Sequence, residues 1–150
     1  MIVEQGLSSY LEFAPGWSPP AAAHDPEALG NALVDPEVWC LVGELGSTPA
    51  GHVSFVPARR SRHGAGDPRL AHLWQLFLLR EAWGTGMAAA LLAAALVEAR
   101  RRGFRAMRLF TPAGQSRARR FYEREGFDAA GPPFDDAGFG MELVEYRREL

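Results

Sequence analysis

The chain has 150 residues, of which 47% are hydrophobic and 23% charged, the balance of one folded domain with a single core. Its longest wholly apolar run, Met87 to Val97, is too short to cross a membrane, and the acidic N-terminus is not expected to be a signal peptide. The single cysteine, Cys40, excludes an internal disulfide and a cysteine-cluster metal site, so the cytoplasm is the expected compartment. All 16 basic residues are arginine, which excludes a Walker P-loop protein, an ordinary kinase and a Schiff-base or pyridoxal-phosphate enzyme.

Charge is distributed unevenly along the chain, although the net charge is only −2. Residues 1–58 carry seven acids and no arginine, whereas residues 82–125 carry nine arginines and three acids. The arginine-rich middle favours a small anionic ligand, because a nucleic-acid-binding protein is more often basic overall. The alternative is that most of these arginines lie on solvated helix faces.

The first half of the chain predicts two short helices followed by a strand hairpin. Asp25 is the expected N-cap of the second helix, because Pro26 suits the first helical position. The predicted elements are a helix over Leu7–Phe13, a helix from Pro26 to about Val34, and strands over Val38–Leu45 and Gly51–Val56 joined by a turn at Gly46–Pro49.

The second half alternates strands and helices, which is typical of a mixed α and β domain. The helix from Met87 is apolar almost all round, so we expect it to pack on a sheet and to end before Gly103. Ser116 is the expected N-cap of the next helix. The predicted elements are a loop over Arg59–Arg69, a strand over Leu70–Leu79, a helix over Met87–Arg102, a strand over Ala106–Phe110, a helix over Arg117–Glu125, and strands over Phe127–Ala130 and Met141–Arg148 joined by a loop at Pro132–Gly138.

Two glycines, Gly84 and Gly86, lie between a predicted central strand and the start of the buried helix. Glycine lets backbone N–H groups face outwards, and the first turn of a helix has unpaired N–H groups with a partial positive charge. The pattern therefore favours a phosphate or diphosphate site, with an ordinary strand-to-helix turn as the alternative. A Rossmann unit is disfavoured because the third glycine of its motif is missing.

The helix after Ser116 has a second pattern. Ala118, Phe121, Tyr122 and Glu125 fall on one of its faces by their spacing of three and four residues. Phe121 is most simply a core residue. Tyr122 has two open interpretations, a core residue with a locally satisfied hydroxyl or a functional phenol.

Together these two segments resemble the GNAT-type N-acetyltransferases. Leu76–Leu92 is similar to the acetyl-CoA motif of that family, a strand, then Arg/Gln-x-x-Gly-x-Gly/Ala, then a helix, and Ser116–Phe127 resembles the family motif that follows it. The resemblance covers about Val38–Leu150 and is strongest over 70–127, whereas residues 1–36 match poorly and the first family strand is reduced to Ile2–Glu4. The departures are Trp83 at the usual Arg or Gln, Ala88 at a glycine and Gln115 at the usual Asn.

The resemblance implies one α+β domain over 1–150, with a mixed, mostly antiparallel central sheet that is splayed between its central strands and flanked by helices. It also implies that the acetyl group of acetyl-CoA passes directly to a primary amine in a ternary complex, without a metal. Tyr122 is then the general acid toward the CoA thiolate, since a phenol is protonated at neutral pH. His72 stands where the family often has a glutamate base; a water chain oriented by Gln75, or a solvent-facing histidine without a role, are the alternatives.

The resemblance further implies that the pantetheine arm pairs with the strand edge at Leu76–Leu79 and that backbone N–H groups hold the diphosphate. The implied coenzyme contacts are Phe77, Leu78, Leu79, Trp83, Gly84, Thr85, Gly86, Met87, Ala88, Gln115 and Arg119.

The expected acceptor is a small molecule or a peptide with an amine. Asp135 and Asp136 either border its site or lie in an exposed turn. His24, His52 and His63 show no ligand spacing, so no metal site is expected. No nucleic acid and no membrane partner is expected, and a homodimer is left open. The competing function is a non-catalytic acyl-CoA-binding regulatory module.

Overall fold

The computed structural model describes residues 2–19 and 26–150, and the expected cap Asp25 lies outside them together with His24. In the described part of the chain, no helix combines the length and the apolar composition needed to span a bilayer. The helices are α1 (Ile2–Ser8), α2 (Pro26–Val34), α3 (Met87–Arg101) and α4 (Ser116–Arg124), and the strands are β1 (Trp39–Leu45), β2 (Thr48–Pro57), β3 (Leu70–Leu78), β4 (Ala106–Pro112), β5 (Asp128–Ala129), β6 (Phe134–Asp136) and β7 (Met141–Glu149).

Within the described residues, the seven strands form one sheet in the order β1-β2-β3-β4-β7-β5, with β6 also paired to β7. Only β3 and β4 run parallel among the paired strands of that sheet. Their pairing covers three positions, from Leu70 opposite Ala106 to His72 opposite Arg108. Beyond that point the two strands separate, which confirms the expected mostly antiparallel sheet splayed between its central strands.

The hydrophobic core lies between the sheet and helices α3 and α4. Leu92, Ala95 and Ala99 of α3 are fully buried against it, which explains why that helix is so rich in small apolar residues. Gly43 and Gly51, a facing pair on β1 and β2, leave room for the side chain of Met87 at the start of α3. The buried residues of the sheet and α4 in this core are Val53, Phe55, Ala71, Leu73, Met107, Leu109, Tyr122, Phe127, Val144 and Tyr146.

The N-terminal segment packs on β3. The backbone of Gly6 lies against the ring of Phe77 so closely that a Cβ would overlap it, and Leu7 is buried beside them. The Ser8 and Ser9 hydroxyls donate to the carbonyls of the preceding turn, which competes with regular helix bonding, and the chain tightens into a 3-10 turn over Ser9–Glu12.

Two N-terminal predictions are thereby corrected. The strand expected at Ile2–Glu4 is wrong, because these residues belong to helix α1. The helix expected at Leu7–Phe13 starts earlier and is α-helical only to Ser8. Packing against the sheet, which local sequence does not encode, sets both boundaries.

Three further boundaries differ from expectation. The hairpin turn comprises only Gly46 and Ser47, with Gly46 at a positive φ of 63°, so Pro49 lies in β2. Ser116 is the first helical residue of α4, and Gln115 holds the N-cap position without a side-chain cap. The loop expected at Pro132–Gly138 contains strand β6, which pairs with β7 from Phe134 to Asp136.

Candidate active site

A wedge-shaped opening separates the second halves of β3 and β4. After His72, β3 continues to Leu78 with β2 on one edge and no strand on the other, among the described residues. Trp74 is left out of the β2–β3 register, because Ser54 faces Gln75 and Phe55 faces Leu73. Such a bulge bends the strand, and here it lies where β3 leaves β4. An extended ligand could pair with the backbone groups on the free edge.

The glycine turn lies at the mouth of this wedge. Gly84 and Gly86 have φ angles of 74° and 86°, conformations that favour glycine, and Gly86 is the N-cap of α3 without a side-chain cap. The hydroxyl of Thr85 donates to the Ala82 carbonyl at 2.6 Å and accepts the N–H of Met87 at 3.3 Å. In the described structure, the N–H groups of Gly84, Gly86, Ala88 and Ala89 have no protein acceptor. These groups fit the diphosphate of a coenzyme.

Two guanidinium groups flank the indole at this turn. The guanidinium carbons of Arg80 and Arg117 lie 4.8 Å and 4.0 Å from the centroid of the Trp83 ring. Arg80 also pairs with Glu12 of the N-terminal segment at 2.7 Å. Trp83 thus replaces the family's polar side chain by a platform that holds two cations next to the start of α3.

An open cavity of about 380 Å³ lies beside the end of β3, between the glycine turn and the N-terminal segment. It gives a ligand access to the mouth of the wedge from the face that α1 covers. Its lining residues are Gln5, Ser8, Ser9, Glu12, Leu78, Arg80, Glu81 and Trp83.

Tyr122 approaches from α4 on the other face. Its side chain packs against Phe121, Phe127 and Tyr146, and within the described residues its hydroxyl has no hydrogen-bond partner. Burial, and to a smaller extent the nearby Tyr10 phenol, raises the pKa of Tyr122 well above its ordinary value. The phenol is therefore protonated throughout the neutral range and has a proton to donate.

The remaining expected coenzyme contacts differ in what their side chains do. Phe77 points to α1 and His52, and Leu79 donates its N–H to the Ala50 carbonyl. Arg119 donates to the Ala113 carbonyl and to the Tyr146 hydroxyl, both at 3.1 Å, so its guanidinium is already engaged within the fold. Gln115 is half-buried at the start of α4, with its amide oxygen 3.5 Å from the Thr111 hydroxyl.

His72 is buried rather than facing solvent, with 7% of its surface exposed. Its Nδ1 accepts a hydrogen bond from Arg108 Nε at 3.3 Å. Burial, followed by the charges of Arg108 and His63, lowers the pKa of His72 to about 3. The imidazole is therefore neutral at physiological pH, so the interpretation of an exposed histidine without contacts is wrong.

Polar side chains continue along the same face of β2 and β3. His52 Nε2 lies 2.9 Å from the Gln75 amide oxygen. The hydroxyl of Ser54, which faces Gln75 across the strands, is buried and has no partner among the described residues. A buried hydroxyl without a partner marks a position where a water or a ligand group would be stabilised.

Comparison with known proteins identifies the fold's family. A model of the Acetyltransferase (GNAT) family matches residues 7–127, which span most of the chain and both motifs. The chain belongs to the GNAT acetyltransferase family. None of the curated proteins matches the sequence of this GNAT protein significantly.

Solved structures show the same fold at low sequence identity. The paiA N-acetyltransferase from Thermoplasma acidophilum, in complex with coenzyme A, is 18% identical with a TM-score of 0.73 over 99% of this chain and 90% of that one. The ribosomal-protein-alanine N-acetyltransferase from Brucella melitensis is 24% identical with a TM-score of 0.67 over 83% and 75%. A GNAT acetyltransferase from Elizabethkingia anophelis with acetyl-CoA bound is 12% identical with a TM-score of 0.63 over 84% of each chain.

Sequence reasoning missed the contribution of the segments on the α1 face of this GNAT domain. Tyr10 is buried in an aromatic cluster with Phe13, Trp17 and Phe139, and Trp17 Nε1 donates to the Phe139 carbonyl at 2.7 Å. The expectation that Asp136 lies in an exposed turn is also wrong, since only 3% of its side chain is exposed. Neither feature has a local signal, because the contacts with Phe139 and those of Asp136 with Arg62 and His63 join residues more than 70 positions apart.

Proposed function

We propose that this GNAT protein transfers the acetyl group of acetyl-CoA to a primary amine in a ternary complex. The observation that carries the proposal is the wedge between β3 and β4, whose mouth opens onto the unpaired N–H groups at the start of α3. The bound coenzyme complexes among the structural neighbours support this use of the fold.

The backbone is the proposed coenzyme contact along most of the site. The free edge of β3 at Phe77 and Leu78, continued by Leu79, would pair with the pantetheine arm. In the segment from Trp83 to Ala88, the N–H groups of Gly84, Gly86 and Ala88 are free of protein acceptors among the described residues and would hold the diphosphate. Arg80 and Arg117 add positive charge there. Gln115 and Arg119, at the start of α4, complete the proposed coenzyme contacts.

When bound, acetyl-CoA supplies a thioester whose acetyl carbon bonds to the acceptor nitrogen while its bond to sulfur breaks. We assign Tyr122 the role of general acid toward the departing sulfur. A phenol that is protonated at neutral pH can donate a hydrogen bond, and then its proton, to a thiolate of ordinary pKa about 8.5. The unpartnered hydroxyl of Tyr122 supports this role, because it needs no protein bond to be broken first.

The proton of the acceptor amine needs a second route. A free alkylamine has a pKa near 10.4, so it must lose a proton before or during the attack. His72 was one candidate, but an imidazole with a pKa of about 3 is a weak base at neutral pH. The buried Ser54 hydroxyl beside Gln75 supports the alternative, a water on this polar face that receives the proton.

The acceptor is proposed to be a small molecule or a peptide that reaches the wedge over the α1 face. The Brucella neighbour acts, by its name, on a ribosomal protein, which keeps a protein N-terminus among the candidates. The half-buried, free Cys40 is compatible with a cytoplasmic location, which is also part of the proposal.

The decisive experiment measures CoA thiol release with a panel of amines that includes polyamines, arylalkylamines and peptides with a free N-terminus. We expect turnover with at least one acceptor and a roughly hundredfold lower kcat for Tyr122→Phe, the usual scale for loss of a general acid. Tyr146→Phe is the matched control, because it removes a buried hydroxyl that bonds only to Arg119 and Glu123 in the described structure. Equal losses in both variants would contradict the role of Tyr122.

The second candidate is a regulatory module that binds acyl-CoA without transferring it. Trp83, in place of the family's polar side chain, is the observation that favours it. Tight coenzyme binding by calorimetry, together with no thiol release for any amine, would select this function.

A further inference from the structure

A histidine and a buried carboxylate form a pair on the α1 face of the sheet. His63 Nε2 lies 2.6 Å from Asp136 Oδ2, across 73 positions of sequence. The same carboxylate accepts Arg62 Nη2 at 2.7 Å and the Phe139 N–H at 2.8 Å. Only 3% of the Asp136 side chain is exposed, against 41% for His63, so the imidazole is fixed on one side and open on the other.

This pair borders the closed end of the wedge. The His63 ring lies 5.2 Å from the ring of Phe110, on β4 just past the last residue paired with β3. The His72 ring lies 5.1 Å from the same phenylalanine on the last paired residue of β3. From its last residue, Leu78, back to His72, β3 spans seven residues, or roughly 20 Å of extended chain. A ligand anchored at the turn and extended along β3 therefore points its far end toward His63.

Asp136 sets the tautomer of the histidine. Burial raises the pKa of Asp136, but the hydrogen bonds from His63 and the Phe139 N–H and the charge of Arg62 lower it by more. The pKa therefore lies below its ordinary value, and the carboxylate is ionised at neutral pH. An ionised carboxylate only accepts hydrogen bonds, hence His63 Nε2 must donate to it. In the neutral ring, Nδ1 then carries the lone pair and is the basic atom.

We propose that His63 is the general base that removes the proton from the acceptor amine, directly or through one water, and that Asp136 is its positioning residue. The proposal rests on the acetyl transfer proposed above and names the base for that same site. The acceptor ammonium first loses one proton to solvent through water; as the N–C bond forms and the C–S bond breaks, the second amine proton passes to His63 Nδ1. The thiol leaves with the proton from Tyr122, and the imidazolium returns its proton to solvent, which restores the phenol through water.

Charged groups from several elements surround His63. The carboxylate of Asp136 on β6 lies against its ring, and Arg62 in the same loop bonds to that carboxylate. Arg108 on β4 bonds to His72, whose ring contacts the same Phe110 ring as His63. Glu145 on β7 lies 3.9 Å from Arg108 and offsets part of that charge. The titratable and charged groups linked to this histidine through these contacts are Arg62, His72, Arg108, Asp136 and Glu145.

The activity test compares wild type, His63→Ala, His63→Gln and Arg62→Gln from pH 5.5 to 9, with the best amine of the panel and with water as acceptor in acetyl-CoA hydrolysis. We expect kcat to fall roughly a hundredfold in both histidine variants, with the KM for acetyl-CoA unchanged. The acidic limb of the pH profile should disappear, and added imidazole should restore His63→Ala. Arg62→Gln is the matched control, because it removes another hydrogen bond to Asp136 without removing a base.

An NMR titration of the ¹⁵N-labelled full chain tests the tautomer without an acceptor. We expect the proton of the neutral His63 ring on Nε2. In Asp136→Asn we expect the ring to lose its fixed orientation. The assignment would be overturned by a proton on Nδ1 or by an imidazolium that persists to pH 9. It would also be overturned if the histidine variants matched Arg62→Gln in both rate and pH profile. A wild type that acetylates no amine yet titrates as expected would instead overturn the proposed acetyl transfer, and the base with it.

Discussion

At the scale of single residues, His72 shows how burial changes what a side chain can do. The sequence places it where the family often has a base, and imidazole ordinarily titrates near neutral pH. In the folded chain, its Nδ1 faces the Arg108 guanidinium, and its ring packs on Phe110. Burial and the Arg108 charge favour the neutral ring, so the residue accepts the hydrogen bond of the buried arginine more readily than it takes a proton.

This environment predicts a pH-dependent stability. Because the folded pKa of about 3 lies below the ordinary 6.5, the contribution of His72 is full above about pH 6.5 and is lost as pH falls toward 3. Over that range, wild type should lose up to about 1.4 kcal/mol per pH unit more than His72→Gln. Urea denaturation at pH 7, 6, 5 and 4 measures the difference. Parallel curves for the two proteins would contradict the assignment.

The candidate site residues divide by how far apart their partners are in sequence. Gly84, Gly86 and Tyr122 follow from local motifs, since helix start, spacing and turn chemistry are all encoded within a dozen residues. The pairing of His63 with Asp136 depends on strand β6 and on a loop from the other half of the sheet. No local pattern carries such a contact, so only the fold shows it.

At the scale of elements, α3 has a glycine of similar conformation at each end. Gly86 before the helix has φ of 86°, and Gly103 after it has φ of 92°, with open space around both Cβ positions. A side chain at either would cost about 1–2 kcal/mol of backbone strain without a clash. The two ends differ in that only the first presents unpaired N–H groups.

That symmetry gives a controlled test of coenzyme binding. We expect Gly86→Ala and Gly103→Ala to lower the free energy of unfolding by similar amounts, about 1 kcal/mol each. Only Gly86→Ala should weaken CoA binding, by about tenfold, because it moves the N–H groups assigned to the diphosphate. Calorimetry with CoA and chemical denaturation measure the two effects. Equal affinity in both variants would show that the turn does not bind the coenzyme.

Elements with strong local signals were predicted well, and those set by packing were not. The core helix α3 and strand β3 match to within a residue, because their apolar runs, glycines and end charges agree, whereas β2 starts three residues before its expected start at Gly51. Strand β6 is three residues long and exists because β7 offers a free edge. Helix α1 similarly takes its boundaries from its contact with Phe77.

At the scale of the whole molecule, two half-sheets meet over only three paired positions of β3 and β4. Helices α3 and α4 brace one face of that junction. On the other face, the N-terminal segment joins both halves, with Glu12 bonded to Arg80 and Trp17 bonded to Phe139. A ligand in the wedge would add contacts to both halves at once.

Coenzyme binding should therefore stabilise both sides of the wedge together. With CoA at about 100 times its Kd, we expect a gain of about 2.7 kcal/mol in the free energy of unfolding. Amide hydrogen exchange should slow at Leu76–Leu78 and at Phe110–Thr111, while Leu41–Val42 on the outer edge strand stays unchanged. Mass-spectrometric exchange with and without CoA measures this, and protection confined to one side would argue against binding between the strands.

The cations around the wedge (Arg80, Arg108, Arg117 and Arg119) are all guanidinium groups, and lysine is absent from the whole chain. A guanidinium keeps its proton at any pH a cell reaches, so it is no nucleophile toward a thioester. An enzyme that binds a reactive acetyl donor beside its own side chains would therefore not acetylate its own positively charged groups. Prolonged incubation with acetyl-CoA should leave every one of these charges intact in a peptide map.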